Sequence, residues 1–145
     1  MSIAVLQDKI RARKTPLALV LSPEADKLNP KITKNFTDLY GPGDMAEAEA
    51  LRYHGSQLIG QAAPLLSAVV LRAERYLRCG FMGMDVLANL VNMAKTQGLY
   101  TIVDARTSAP EVYTAGGIHA DGVTVTPPSS APLSLIHISE PTRLA

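Results

Sequence analysis

The sequence predicts an α/β fold built on parallel strands, and three observations carry that expectation. Four short apolar runs of strand length stand at 17–21, 66–71, 99–104 and 122–126, the segments between them place apolar residues at helical spacing, and strand and helix alternate along the chain. Runs that are apolar at successive positions suit strands covered on both faces, as in a parallel sheet. Alternation of the two element types is the order of βαβ units.

The elements follow in order. Ser2 can cap a first helix in which Ile3, Leu6 and Ile10 fall three and four apart, with Arg11, Arg13 and Lys14 in its last turn, where cations favour the helix dipole. Pro16 ends it before the strand at 17–21. A short helix is expected over 30–40. Asp44 with Glu47 has capping-box spacing and opens a helix from Met45 to about Gly60. After the second strand, Asp85 can cap a helix with Val86, Leu87, Leu90, Val91 and Ala94 on one face, and Gly98 is placed as its C′ residue. A short helix at about 110–115 separates the third and fourth strands.

Composition narrows the class. At 145 residues, 47% hydrophobic and 19% charged, the chain reads as one globular domain. Its 14 Lys+Arg against 13 Asp+Glu leave a charge of +1, which makes no electrostatic footprint for nucleic acid. The single cysteine, Cys79, cannot form an intrachain disulfide. The apolar stretch 62–71 is broken by Pro64 and Ser67 and falls far short of the ~20 residues of a membrane span. Asp8 and Lys9 interrupt the region where a secretory signal needs an apolar core. The expectation is a cytoplasmic protein with neither a nucleic-acid nor a membrane partner.

In parallel α/β folds the chemistry gathers at the C-terminal ends of the strands. Those positions are Ser22, Arg72, Asp104 with Arg106, and Thr126. Asp104 and Arg106 lie two apart and share a face of an extended strand, as a residual anion or ribose site or, more simply, a structural ion pair. His54 reads as part of a solvated helix face, His119 as a loop residue able to pair with Asp121, and Cys79 as an inert thiol. Gly116 and Gly117 suit a loop with positive φ, and Gly80 and Gly83 could let a ligand approach the backbone. Walker, zinc-ligand, catalytic-triad and dinucleotide patterns are absent from the sequence.

After Thr126 the composition changes to Pro127-Pro-Ser-Ser-Ala-Pro132, followed by Leu133-Ser-Leu-Ile-His-Ile-Ser-Glu-Pro-Thr-Arg143. This peptide resembles a translated transposase adapter of the kind used in DNA library preparation, residue for residue. The chain therefore divides into a domain at 1–127 and a non-native, disordered tail at 128–145 with few contacts; His137 carries no functional weight.

The run Gly83-Met-Asp-Val-Leu-Ala-Asn-Leu-Val-Asn-Met-Ala-Lys-Thr-Gln-Gly-Leu-Tyr-Thr-Ile-Val-Asp-Ala-Arg106 resembles the orotidine 5′-phosphate decarboxylase family, in its longer bacterial-type branch. Thr15-Pro-Leu-Ala-Leu-Val-Leu-Ser-Pro23, Ala68-Val-Val-Leu-Arg72 and Ala120-Asp-Gly-Val-Thr-Val-Thr-Pro127 resemble its first, second and fourth strands, in that order. The resemblance implies the N-terminal half of a (β/α)8 barrel, a fold of about 250 residues when complete. It also implies a reaction of pyrimidine biosynthesis that uses no cofactor: alternating lysines and aspartates at strand ends expel a carboxylate from the substrate.

Against that array, Asp104 matches the first aspartate of the third-strand motif and Arg106 stands at its lysine. Val70 falls at the second-strand lysine, Ala109 at the second aspartate and Ser22 at the aspartate after strand one. Arginine stays protonated and spreads its charge, so it replaces a proton-donating lysine badly. Asp104 and Arg106 are thus vestigial catalytic residues, and Ser22 and Thr126 candidate substrate-binding residues. No metal site is expected. Three readings stay open: a truncated, inactive decarboxylase-like piece; a non-catalytic paralogue binding a phosphorylated ligand or partner subunit; and another phosphate-binding barrel enzyme using Asp104 differently. A half-barrel with open edges is also expected to associate, with a homodimer as one outcome.

Overall fold

A computed structural model describes residues 3–115 and 117–126, together with the backbone of 135–138. Helix α1 (Ile3–Arg13) leads into strand β1 (Ala18–Leu21), then α2 (Pro30–Tyr40) and α3 (Asp44–Ala62). Strand β2 (Ala68–Arg72) is followed by α4 (Ala73–Leu77) and α5 (Gly80–Thr96), β3 (Tyr100–Thr107) by α6 (Glu111–Thr114), and β4 (Gly122–Val125) by β5 (Leu135–Ile138). Strand order is β1-β2-β3-β4-β5, with the first three pairings parallel, as the alternation predicts.

Parallel register places Leu21 beside Leu71, Leu71 beside Val103 and Val103 beside Val123. This row joins Leu51 and Ile59 of α3 and Val86, Leu87, Leu90 and Val91 of α5 in one buried cluster. The opposite face carries Ala18, Val20, Val70 and Ile102, and Val20 is 55% exposed. The expectation that both faces are covered therefore fails along β1, while Ala68 (5% exposed) and Tyr100 (1%) on this same face are buried. Among the described residues, the exposed part of this face lies along β1 at the edge of the sheet.

Some element boundaries differ from expectation for local reasons. Helix α3 starts at Asp44 itself, after Gly43 at φ +145°, so Asp44 and Glu47 serve the first-turn dipole and no side chain caps the helix. Helix α5 starts at Gly80, so Asp85 lies inside it and does not cap it. Gly83 needs its hydrogen because a Cβ there would sit 1.6 Å from the Tyr76 carbonyl oxygen: the close approach is by the chain's own α4, not by a ligand. At the far end of α5, Gly98 (φ +81°) donates to the Lys95 carbonyl and Leu99 to that of Ala94, the Schellman closure expected of a C′ glycine.

The N-terminal end of the sheet is sealed by α1. Arg13 Nη1 donates to the carbonyls of Ala63 (2.8 Å) and Leu66 (3.2 Å), and Lys9 Nζ to that of Gly98 (2.8 Å). Cations thus meet the carbonyls that follow α3 and α5. The Ser2 cap predicted for α1 lies outside the described residues.

The tail departs from expectation at one place. Leu135–Ile138 pairs antiparallel with β4, Val123 opposite His137 and Thr124 opposite Ile136. An edge strand offers a row of unsatisfied N–H and C=O groups, and a following segment in extended form fills them whatever its origin. The fourth strand is therefore not the bare edge that a half-barrel suggests. The remainder of 127–145 lies outside the described residues.

Candidate functional site

Two strands deliver charge to the C-terminal end of the sheet, and a third adds a hydroxyl. Register sets Arg72, the last residue of β2, directly beside Asp104 of β3. Arg72 Nε lies 3.5 Å from Asp104 Oδ2, and Arg106 Nε lies 3.7 Å from Asp104 Oδ1. From β4, Thr124 Oγ1 donates to Asp104 Oδ1 at 2.7 Å and accepts from the Arg106 N–H at 3.0 Å. One carboxylate thus holds two guanidinium groups and a hydroxyl.

Arg106 owes its position to a break in the ladder. The β3–β4 register shifts between Val103 and Thr107, and Arg106 takes φ +48°, a left-handed conformation that costs a side-chain-bearing residue energy. Thr126 donates its hydroxyl to the Arg106 carbonyl, and its N–H donates to the Thr107 carbonyl at 3.1 Å, which fixes the bulge. Asp104 and Arg106 meet as expected, but through this bulge and not along a regular strand.

Arg72, Glu74, Asp104, Ala105 and Arg106 line a hollow of about 170 Å³. The Asp104 side chain is 17% exposed, that of Arg72 41% and that of Arg106 67%. Glu74 comes within 3.9 Å of Arg75, so Asp104 is the acid that engages the two site arginines. The hollow can accept an anion, with guanidinium forks on two sides.

The other candidates are placed as follows. Ser22 is not drawn to Asp104: its hydroxyl accepts from Arg75 Nε at 3.3 Å, and Arg75 also lies 3.7 Å from Glu24. Val70 is half-buried on the inner face beside Val20 and Ile102. Ala109 follows β3 and donates its N–H to Thr107 Oγ1 at 3.0 Å. Thr126 reaches the site only through the Arg106 backbone. Sequence reasoning named Arg72 as a strand-end residue without joining it to Asp104, and missed Thr124, whose period-two relation to Thr126 was the available signal.

The remaining singled-out residues lie elsewhere. His54 is half-buried on α3, and burial lowers its pKa. His119 is exposed at φ +53° with its carbonyl taken by Lys95 Nζ (2.7 Å), while Asp121 is buried and bonded to Thr101. Burial foremost, then the charges of Glu47 and Asp44, push the Cys79 thiol up to about 11, the environment of an inert cysteine. Gly117 has φ +102°; Gly116 lies outside the described residues. Among the described residues no group of three or more His, Cys, Asp or Glu could hold a metal, and no helix is long and apolar enough to cross a membrane.

No protein-family model matches the chain, and no curated protein matches it. Solved structures do. One is a Toxoplasma gondii protein described provisionally as an orotidine-monophosphate decarboxylase, at TM-score 0.65 and 17% identity, matched over 84% of this chain and 40% of its own. Another is a Streptomyces avermitilis protein described provisionally as an orotidine 5′-phosphate decarboxylase, at TM-score 0.61 and 18% identity, matched over 84% of this chain and 42% of its own. The chain spans about two fifths of the length of these proteins. Its fold is therefore that of half a (β/α)8 barrel like those of these proteins, with the Arg72–Asp104–Arg106 cluster at the strand ends.

Proposed function

We propose that the chain is the strand-one-to-four half of an orotidine 5′-phosphate decarboxylase-like protein of cytoplasmic pyrimidine biosynthesis, that it does not decarboxylate, and that its strand-end charges serve to hold a phosphorylated or carboxylated anion. The observation that carries this is the clamping of Asp104 between Arg72 and Arg106. Expelling a carboxylate calls for an aspartate facing it and a compact ammonium to deliver the proton. Here the aspartate is paired with two guanidiniums, Val70 carries no charge, and Ala109 supplies no second carboxylate. Guanidinium groups release no proton near neutral pH, but they bind phosphate and carboxylate in bidentate fashion. The arrangement favours the binding paralogue over the lyase.

The test is a chimera in which the missing half is supplied from an active relative, assayed by loss of orotidine 5′-phosphate absorbance. The chimera is inactive as it stands, because electrostatic groups of this kind are worth about 3–4 kcal/mol each to a transition state. Val70→Lys, Arg106→Lys, Ala109→Asp and Ser22→Asp together restore measurable turnover. Strong activity before those changes refutes the loss of catalysis, and no gain after them refutes the family reading.

A further inference from the structure

The shift in the β3–β4 ladder sets three residues against one. Val103 pairs with Val123 and Thr107 with Val125, so Asp104, Ala105 and Arg106 of β3 stand opposite Thr124 alone. The half-buried Thr124 serves the first and last of the three with one hydroxyl. It donates to Asp104 Oδ1 at 2.7 Å and accepts from the Arg106 N–H at 3.0 Å. The bond to Asp104 is the short one on that carboxylate. Arg72 Nε and Arg106 Nε stand off at 3.5 and 3.7 Å, outside the about 2.7–2.9 Å of a closed guanidinium–carboxylate bond. Both arginines turn Nε toward Asp104, and their terminal nitrogens make no hydrogen bond among the described residues.

We propose, on the anion-binding reading above, that Thr124 is the positioning residue of the strand-end site: its hydroxyl holds the Asp104 carboxylate back from Arg72 and Arg106 and so keeps their forks open to an anion. A carboxylate and a guanidinium free to move close into a bidentate pair. Asp104 reaches that geometry only by turning Oδ1 away from Thr124, and the short hydroxyl bond opposes the turn. The Arg106 N–H, bonded to the same hydroxyl, keeps that residue at φ +48° beside the hollow. A hydroxyl suits both tasks because it has one proton to give and lone pairs to accept. Valine has the same branched shape and can do neither.

Phenylglyoxal condenses with the terminal nitrogens of an unengaged guanidinium and so reads the forks without any ligand. Adduct formation at Arg72 and Arg106 is followed in the full chain by peptide mass, and pyrophosphate affinity by calorimetry. In Thr124→Val the carboxylate closes on the arginines. Adducts then form about fivefold more slowly and pyrophosphate binds about fivefold more weakly, the scale of one intramolecular hydrogen bond. Thr124→Ser keeps the hydroxyl and behaves as the parent in both. Thr124→Val joined to Asp104→Asn matches Asp104→Asn alone, because the amide has no charge to close on the forks. Thr124→Ala carries the same test if Thr124→Val does not fold. Parental adduct rates in a folded variant without the hydroxyl overturn the proposal. So does a loss of equal size in the Asp104→Asn background, which assigns the effect to the Arg106 backbone. A parent that shows the expected adduct pattern yet binds no pyrophosphate supports the hold on Asp104 and overturns the anion reading alone.

Discussion

Two Asp–Thr pairs tie β3 to β4, one at each end of the strands, and they differ in what surrounds the carboxylate. At the N-terminal end, Asp121 Oδ2 accepts from the Thr101 N–H (2.8 Å) and hydroxyl (3.0 Å), the Asp121 N–H donates to Thr101 Oγ1 (3.1 Å), and Lys95 Nζ stands 3.8 Å away. Asp121 is 1% exposed and Thr101 fully buried. At the C-terminal end, Asp104 takes the Thr124 hydroxyl and two arginines that reach into water. The same two residue types make a sealed staple below and an exchangeable charge cluster above. Burial fixes which is structural: a sealed carboxylate cannot trade partners, and an open one can.

The comparison breaks first at the staple. Asp121→Ala leaves the Thr101 N–H without its acceptor and Lys95 without its carboxylate, and costs about 3–5 kcal/mol of stability. The denaturation midpoint measures it. A loss under about 1 kcal/mol would show that the lower pair is no more structural than the upper one.

The next effect belongs to the upper cluster. Arg72→Ala and Arg106→Ala each weaken binding of pyrophosphate, used as a simple anionic probe, by about tenfold, the worth of one charge-assisted hydrogen bond. Both leave the melting midpoint in the absence of anion nearly unchanged, because partly exposed ion pairs contribute about 0–1 kcal/mol. Isothermal titration and thermal melts separate the two readouts. Anion binding unaffected by both changes removes the site from the upper end.

The same contrast shows what could be read from the sequence. Val86, Leu87, Leu90, Val91 and Ala94 were legible as a buried stripe because a helix repeats every 3.6 residues, and Gly98 because its φ admits few alternatives. Helix α4 was not: it has five residues, too few for a period, and follows β2 without a gap. Asp85 looked like a cap because the turn that starts α5 is made by Gly80 at φ +62°, with no side-chain bond to reveal it. Asp104 and Arg106 were visible as a pair, but the third member, Arg72, depends on register between strands far apart in the chain. Ser22 looked available until Arg75, on an unforeseen helix, took its hydroxyl.

The smallest effect on stability carries the most information about the cluster. Asp104→Asn keeps the shape of the side chain and an oxygen able to accept from Thr124, but removes the charge that occupies Arg72 and Arg106. Stability should change by no more than about 1 kcal/mol, since both ion pairs are partly exposed and longer than a close hydrogen-bonded bridge. Anion affinity should move in the opposite sense to the arginine variants. Asp104 competes with any incoming phosphate or carboxylate for the same two guanidiniums, so neutralising it tightens binding, most clearly at low ionic strength where screening is weak. Titration of pyrophosphate into Asp104→Asn at two salt concentrations measures this. Tighter binding that fades with added salt marks Asp104 as the internal anion of an open site. Weaker binding would mean that Asp104 positions the arginines for the ligand, and that the upper pair, like the lower, is there to hold its neighbours in place.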